Sequence, residues 1–296
     1  MIARVPASSA NLGPGFDTLA LALSLYLEVE AEPADSFSVS AFGEGSNLVV
    51  SDSHLGSQVA MRVLGHARVH LNVRSQIPLG RGLGSSAAFV SACAAALGAE
   101  NPFLIASSFD GHPENAAASV FGGFVTATSV GSEYVSRGLT VDPGLAAVVV
   151  IPSSELATKT ARGVLPESVS FSDAAFNLGR MGLLIAGFAD LDQLVWQATQ
   201  DRLHQSYRSA LFPESVEIIA ALEESGAIAA CWSGAGPSMI GFCRASDSAA
   251  IANRVAERVA GQVGKNVVRE LKADLKGLVT ADSYGADFQP LKVASL

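Results

Sequence analysis

Cysteine is scarce in this chain. Cys93, Cys231 and Cys243 are an odd set with no C-x-x-C pair, which excludes a disulfide framework and a cysteine-based zinc site and reads as reduced core residues of a cytoplasmic protein. Charge is scarce as well, at 16% of residues, and positive charge most of all: 19 Lys and Arg stand against 28 Asp and Glu, for a formal net charge of −9. No cluster of Lys and Arg interrupts that balance, so the concentrated basic surface that nucleic acid requires is missing. Long apolar runs are missing too. The richest stretches, 17–29 and 145–152, are too short or too interrupted for a membrane span, and the opening MIARVPASSANLG has no basic segment leading into an apolar one, as a signal peptide would. The expectation is a cytoplasmic protein without nucleic-acid or membrane partners. A small anionic ligand stays compatible with the acidic balance, because salt screens long-range repulsion beyond ~8–10 Å.

What is present is apolar material: 49% of 296 residues, enough for one large domain or two ordinary ones, and too much for a disordered chain. Leu19, Leu21, Leu23, Leu25, Leu27 and Val29 alternate, which predicts a strand over 19–29; Val69, Leu71 and Val73 predict another over 67–74. A glycine-rich loop, QIPLGRGLGSS, and an alanine-rich helix follow the second. Beyond the strand 146–152 the texture changes to helical patterns near 173–189, 190–208 and 213–225. Next come a strand–glycine turn–strand at AIAACWSGAGPSMIGFC, a helix at 247–262 and a last strand, KNVVREL. This predicts an α/β unit over 1–150 and an α+β unit over 151–296.

The loop 78–88, PLGRGLGSSAA, carries the clearest chemistry. Gly80, Gly82 and Gly84 permit positive φ and close approach to a ligand, and Ser85 and Ser86 open the helix, where amides, hydroxyls and helix dipole suit a phosphate. Taken alone, the segment also reads as a serine-capped turn. It is not a P-loop, because no lysine lies between 75 and 100, and Gly82-x-Gly84 followed by Ser-Ser-Ala is not the dinucleotide fingerprint.

The segment resembles the P-x-x-x-G-L-G-S-S-A-A phosphate loop of the galactokinase, homoserine kinase, mevalonate kinase and phosphomevalonate kinase (GHMP) superfamily. VPASSANLGPGFD (5–17) resembles the opening of its homoserine kinase branch, and WSGAGPSMIGF (232–242) resembles the glycine turn that approaches the same phosphates. The resemblance implies the GHMP kinase fold: an N-terminal ribosomal-protein-S5-like α/β domain and a C-terminal ferredoxin-like α+β domain. It implies ATP and Mg²⁺ as cofactors and the hydroxyl of L-homoserine as acceptor, in threonine biosynthesis.

Residue by residue, it implies ATP contacts from Pro78, Leu79, Gly80, Arg81, Gly82, Leu83, Gly84, Ser85, Ser86, Ala87 and Ala88, from Gly234 and Gly236, and from Asn47 of an N-L-V segment beside the adenine. Asn11 and Asp17 are implied for the substrate ammonium group. Arg162 and Arg208, in segments resembling S-T-x-x-A-R-x-x-L-P and L-H-Q-P-Y-R-x-x-L-x-P, are implied for its carboxylate, which a guanidinium fork suits, with Thr158 nearby. DGHPENAAASVFGGF (110–124) resembles E-G-H-P-D-N-V-A-P-A-x-x-G-G. That places Asn115 by the reactive hydroxyl, with Asp110 and Ser85 at the metal, although Asp110 stands where many members have Glu and Glu114 where they have Asp. A mevalonate-type kinase would keep the loop without needing Asn11, Asp17, Arg162 and Arg208 together. A non-catalytic nucleotide-binding regulator on the same fold would tolerate the changes at 110 and 114. The sequence admits a homodimer without requiring one.

Overall fold

The structure, a computed structural model, describes residues 1–47, 51, 53–261, 264–283 and 287–291, and the backbone alone of Asp110. Leu48 and Val49 of the N-L-V segment and the Asp110 side chain therefore lie outside the described residues. In chain order the first half contains β1 (Ile2–Asn11), β2 (Gly15–Pro33), β3 (Ser38–Gly43), α1 (Leu55–Leu64), β4 (Val69–Ser75), α2 (Ser85–Ala96), α3 (Pro102–Asp110), α4 (Glu114–Phe121), β5 (Phe124–Val130), β6 (Glu133–Leu139) and β7 (Leu145–Pro152). The second half contains α5 (Thr158–Gly163), α6 (Phe171–Ala189), α7 (Gln205–Arg208), α8 (Ser215–Glu224), β8 (Ala229–Trp232), β9 (Met239–Arg244), α9 (Ser248–Val259), β10 (Asn266–Lys272), β11 (Val279–Ala281) and β12 (Gln289–Pro290).

The alternating leucines form the middle of the long strand β2, which pairs antiparallel with β1, β4 and β5. Around 19–23 both of its faces are covered, so Ala20 and Ala22 are as buried as Leu19, Leu21 and Leu23. The first sheet runs β12-β11-β1-β2-β4-β3, with β5 and β6 branching from β2. Against it lies α2, whose residues Ala87, Ala88 and Val90 to Ala96 are all buried. A helix apolar on every side belongs in the interior, and its small side chains let β1, α3 and α4 close in around it. The phosphate-loop candidate is therefore mounted on a rigid, central element.

The second sheet, β10-β7-β9-β8, is antiparallel throughout and is covered by α8 and α9. Phe188 of α6 packs its ring edgewise against Phe124 of the first sheet and Phe242 of the second, at 4.9 and 4.8 Å between ring centroids, so one core runs from the first sheet to the near face of the second. Val148, Val150, Ile218 and Ile251 form a separate core on its far face under α8 and α9. The division at residue 150 falls inside β7, which pairs only within the second sheet, and β11 and β12 return the chain to the first. KNVVREL is thus not the last strand.

The helical pattern over 190–208 also resolves differently. Two 3₁₀ turns, Leu191–Gln193 and Trp196–Thr199, are followed by the short α7. The Asp201 carboxylate stops a continuous helix by accepting hydrogen bonds from the backbone N–H of Leu203, His204 and Gln205, which a helix would commit elsewhere. No helix among the described residues is long and apolar enough to cross a membrane.

Candidate active site

The C-terminal end of β1, the glycine loop, and the first turns of α4 and α5 meet α7 and the turn 233–236 around one cavity of about 230 Å³ in the cleft between the sheets. Of the residues expected from sequence, Asn11, Asp17, Pro78, Gly80 to Ala87, Asn115, Thr158, Arg162, Arg208 and Gly234 line it. Three of the others stand apart. Ala88 is buried inside α2, Gly236 lies behind the cavity against the Trp232 ring, and Asn47 is an exposed turn residue. Leu79, Ser85 and Ser86 border a second, more apolar cavity of about 270 Å³, walled by Leu27, Val39, Ala41, Leu55, Val73 and Phe89. Gly45 and Ser46 line this cavity, whereas Asn47 does not.

The loop is locked from both sides. Gly80, Gly82 and Gly84 have φ of 63°, 70° and 69°. A Cβ on Gly82 would lie 2.1 Å from the Ser233 carbonyl oxygen, so only glycine lets the loop and the 233–236 turn pack backbone to backbone. The Ser233 hydroxyl donates to the Gly82 carbonyl (2.7 Å), and the amide of Ser8 donates to that of Leu83 (3.2 Å). Gly84 caps α2, whose first N–H groups find no acceptor within the helix and open onto the cavity. Arg81, expected to contact ATP, lines the cavity with its donors already engaged: Nε on the Pro152 carbonyl, Nη2 on that of Ser153 and Nη1 on that of Leu79. It ties the loop to the end of β7.

At the other end of the cavity lie the charges expected to meet an amino acid. Arg162 grips Asp17 with both guanidinium ends, Nη1 to Oδ2 at 2.9 Å and Nη2 to Oδ1 at 2.6 Å. The two residues assigned to opposite ends of a substrate thus hold each other. Asn11 is buried and holds the scaffold: its Nδ2 donates to the Gly234 carbonyl and its Oδ1 accepts from the Asp17 amide. Both residues sit at positive φ, 69° and 51°, which Asn and Asp tolerate better than other non-glycine residues. Arg208 is 1% exposed, and burial, followed by the like charge of Arg162, lowers its pKa to about 10.

Between these ends sit His112, Glu114 and Asn115. Asn115 Oδ1 accepts from the Ser8 hydroxyl (2.9 Å), and its Nδ2 donates to Glu114 Oε1 (3.2 Å). Glu114 is 1% exposed, and its Oε2 has no hydrogen-bond partner among the described residues. A buried carboxylate oxygen left bare is costly, and a divalent cation is the natural remedy. Ligand atoms of Asp17, His112 and Glu114 lie within 4.8 Å of one another, but Asp17 is already committed to Arg162. The donor set therefore fits a hard cation held on Glu114 and its neighbours.

The GHMP kinase N-terminal domain model matches residues 54–123 and the GHMP kinase C-terminal model residues 175–261. The chain is 39% identical over 259 residues to the homoserine kinase of Moorella thermoacetica, covering 82% of this chain and 87% of that one. It is 40% identical over 280 residues to the homoserine kinase of Thermus thermophilus, covering 89% and 94%. The chain belongs to the homoserine kinase family of the GHMP kinases.

Solved structures agree on the fold of this family member. A homoserine kinase from Cytophaga hutchinsonii superimposes with a TM-score of 0.80 at 24% identity, covering 94% of this chain and 96% of the other. An L. major mevalonate kinase superimposes with a TM-score of 0.66 at 13% identity, covering 91% and 95%. The GHMP resemblance marked the loop, the N-terminal turn and both arginines, but passed over Ser8, Ser233, Asp201 and His204. Each of these supports a site residue from behind. The available signal was position: Ser8, Ser233 and His204 lie inside the segments that carry Asn11, Gly234 and Arg208, and Asp201 stands just ahead of the last of them.

Proposed function

We propose that this member of the family transfers the γ-phosphoryl group of ATP to the side-chain hydroxyl of L-homoserine, giving O-phospho-L-homoserine for threonine biosynthesis. The observation that carries this reading is a two-signed charge set, Asp17 with Arg162 and Arg208, on the wall of the same cavity as the α2 N-terminus. The adenine occupies the apolar cavity beside Leu79 and Phe89, and the phosphates lie over the loop amides. The substrate's ammonium group goes to Asp17 and its carboxylate to Arg162 and Arg208. A zwitterion can enter between Asp17 and Arg162 because it replaces one internal ion pair by two of its own. A neutral or singly charged alcohol would break the pair and return less. This favours an amino acid over mevalonate.

With the acceptor anchored at its charged ends, its hydroxyl faces Asn115 and the γ-phosphorus. The new O–P bond forms as the bond to the β-phosphate oxygen breaks, and the hydroxyl proton passes to a phosphate oxygen. Catalysis then rests on in-line positioning and on the loop amides that meet the equatorial oxygens. When bound, Mg²⁺ neutralises charge shared by the β- and γ-phosphates. We assign Ser85, Glu114 and Asp110 to hold it.

Ser85→Ala should lose a charge-assisted hydrogen bond of ~1.5–3 kcal/mol, roughly ten- to hundred-fold in kcat/KM. Unchanged efficiency and ATP affinity would remove the hydroxyl from the site. Glu114→Gln keeps the shape and removes the charge. It should raise the Mg²⁺ concentration for half-maximal rate, and the Kd for Mn²⁺ read by electron paramagnetic resonance, by about ten- to hundred-fold. An unmoved Mn²⁺ titration would leave Asp110 as the carboxylate ligand. The reading as a whole is tested by ATP consumption with L-homoserine, mevalonate, shikimate or buffer alone. Only L-homoserine should raise the rate above buffer, and a mevalonate or shikimate response, or none, contradicts it.

A further inference from the structure

Arg208 is a long side chain held with almost no exposure, and its orientation has an identifiable cause. Its Nε donates to the Ala161 carbonyl (3.3 Å), and its Nη1 donates to the Gly234 carbonyl (2.9 Å) and lies 3.1 Å from His204 Nδ1. Nη2 is the guanidinium nitrogen with no acceptor among the described residues, and Arg208 lines the cavity. His204 is wholly buried, and its Nε2 lies 2.8 Å from the Gly13 carbonyl oxygen in the turn between Asn11 and Asp17.

The partners leave the ring a single state. A guanidinium only donates, so Nδ1 must be bare to accept; a carbonyl only accepts, so Nε2 must carry the proton. A second ring proton would set N–H against N–H. The backbone of this segment is fixed in turn by Asp201, whose carboxylate is fully buried and accepts three amides and the Asn177 side chain.

We propose that His204, as a neutral ring protonated on Nε2, is a positioning residue that aims Arg208 at the substrate and fixes its distance from the Asp17-bearing turn. It spans from the ammonium side of the pocket, through Gly13, to the carboxylate side, through Arg208, and so sets how long an amino acid fits between them. This rests on the acceptor assignment made above. The charged groups facing the ring are Asp201 and Asp17, which favour protonation, and Arg208, which opposes it; burial is the largest influence and holds the pKa down to about 4. The aiming state therefore persists through the neutral range.

The test is a set of variants read for both substrates. His204→Leu should raise the KM for L-homoserine about ten-fold or more while kcat and the KM for ATP stay within about two-fold. His204→Asn, whose amide oxygen can stand in for Nδ1, should recover most of that loss. In an Arg208→Ala background, His204→Leu should cost nothing further. Equal movement of both KM values, no movement, or full additivity with Arg208→Ala overturns the proposal.

The wild-type ring supplies a readout independent of variant folding. Nitrogen-15 NMR of the histidines should show His204 neutral with its proton on Nε2 at pH 6, and its Nδ1 resonance should shift on saturation with L-homoserine. A charged ring or an Nδ1-protonated one overturns the proposal. If the wild type ignores L-homoserine, the acceptor assignment fails, and the tautomer together with the KM for whichever acceptor is used decides the role of the histidine.

Discussion

Gly82→Ala is expected to abolish ATP use, lowering kcat/KM by more than about a hundred-fold, and to lower the melting temperature. A methyl group at this position would sit 2.1 Å from the Ser233 oxygen and 2.7 Å from the Gly236 nitrogen, both backbone atoms that cannot rotate away. The change strikes the contact that joins the phosphate loop to the turn of the second sheet. Gly98→Ala is the matched control, since Gly98 also has positive φ, 82°, with nothing within 4 Å of the added carbon. It should cost only the ~1–2 kcal/mol of a left-handed alanine and leave ATP affinity alone. Gly84→Ala should fall between them, because its closest obstacle, at 2.0 Å, is the Ser8 hydroxyl, which can turn. Melting curves and ATP titrations of the three variants give the ordering. If Gly82→Ala behaves like Gly98→Ala, the loop is a turn and not a phosphate cradle.

The second large effect concerns charge. Asp17→Asn is the informative change, because asparagine tolerates the φ of 51° and the shape is kept while the carboxylate charge is lost. Truncating one member of a desolvated charge pair costs ~2–5 kcal/mol. Asp17 and Arg162 keep 32% and 36% of their side-chain surface exposed, so the lower part of that range applies. Asp17→Asn and Arg162→Ala should each lower kcat/KM for L-homoserine by roughly thirty- to a hundred-fold, with little change in ATP affinity. The carboxylate-free analogue 3-aminopropan-1-ol should be poor with the wild type and lose little more in Arg162→Ala. If the analogue suffers from Arg162→Ala as much as homoserine does, the arginine supports the fold or the phosphates.

These two predictions also mark where the sequence was legible. The loop and the N-terminal turn are contiguous, and glycine at three positions states a backbone requirement that no other residue meets, so both could be read directly. The alternating leucines of β2 declared a strand for the same reason, a period that geometry imposes. Long-range pairing leaves no such trace. Asp17 and Arg162 are 145 residues apart, and nothing in either segment says that each grips the other.

The stretch 190–208 misleads because Leu191, Leu194 and Ala198 repeat at helical spacing and are buried as a helix face would be. The side chain of Asp201, by taking backbone amides for itself, decides against a helix. The same carboxylate fixes His204 ahead of Arg208, so the segment whose secondary structure was misread also hid a supporting part of the site. The return of β11 to β1 was equally silent, since a three-residue strand is too short to show a period.

The most direct measurement is phosphorus NMR of the complete reaction with ATP, Mg²⁺ and L-homoserine. A single new phosphomonoester resonance, matching authentic O-phospho-L-homoserine and growing in step with ADP, is the expected result. ADP accompanied only by inorganic phosphate, or a phosphoester that appears equally without L-homoserine, would contradict the assignment.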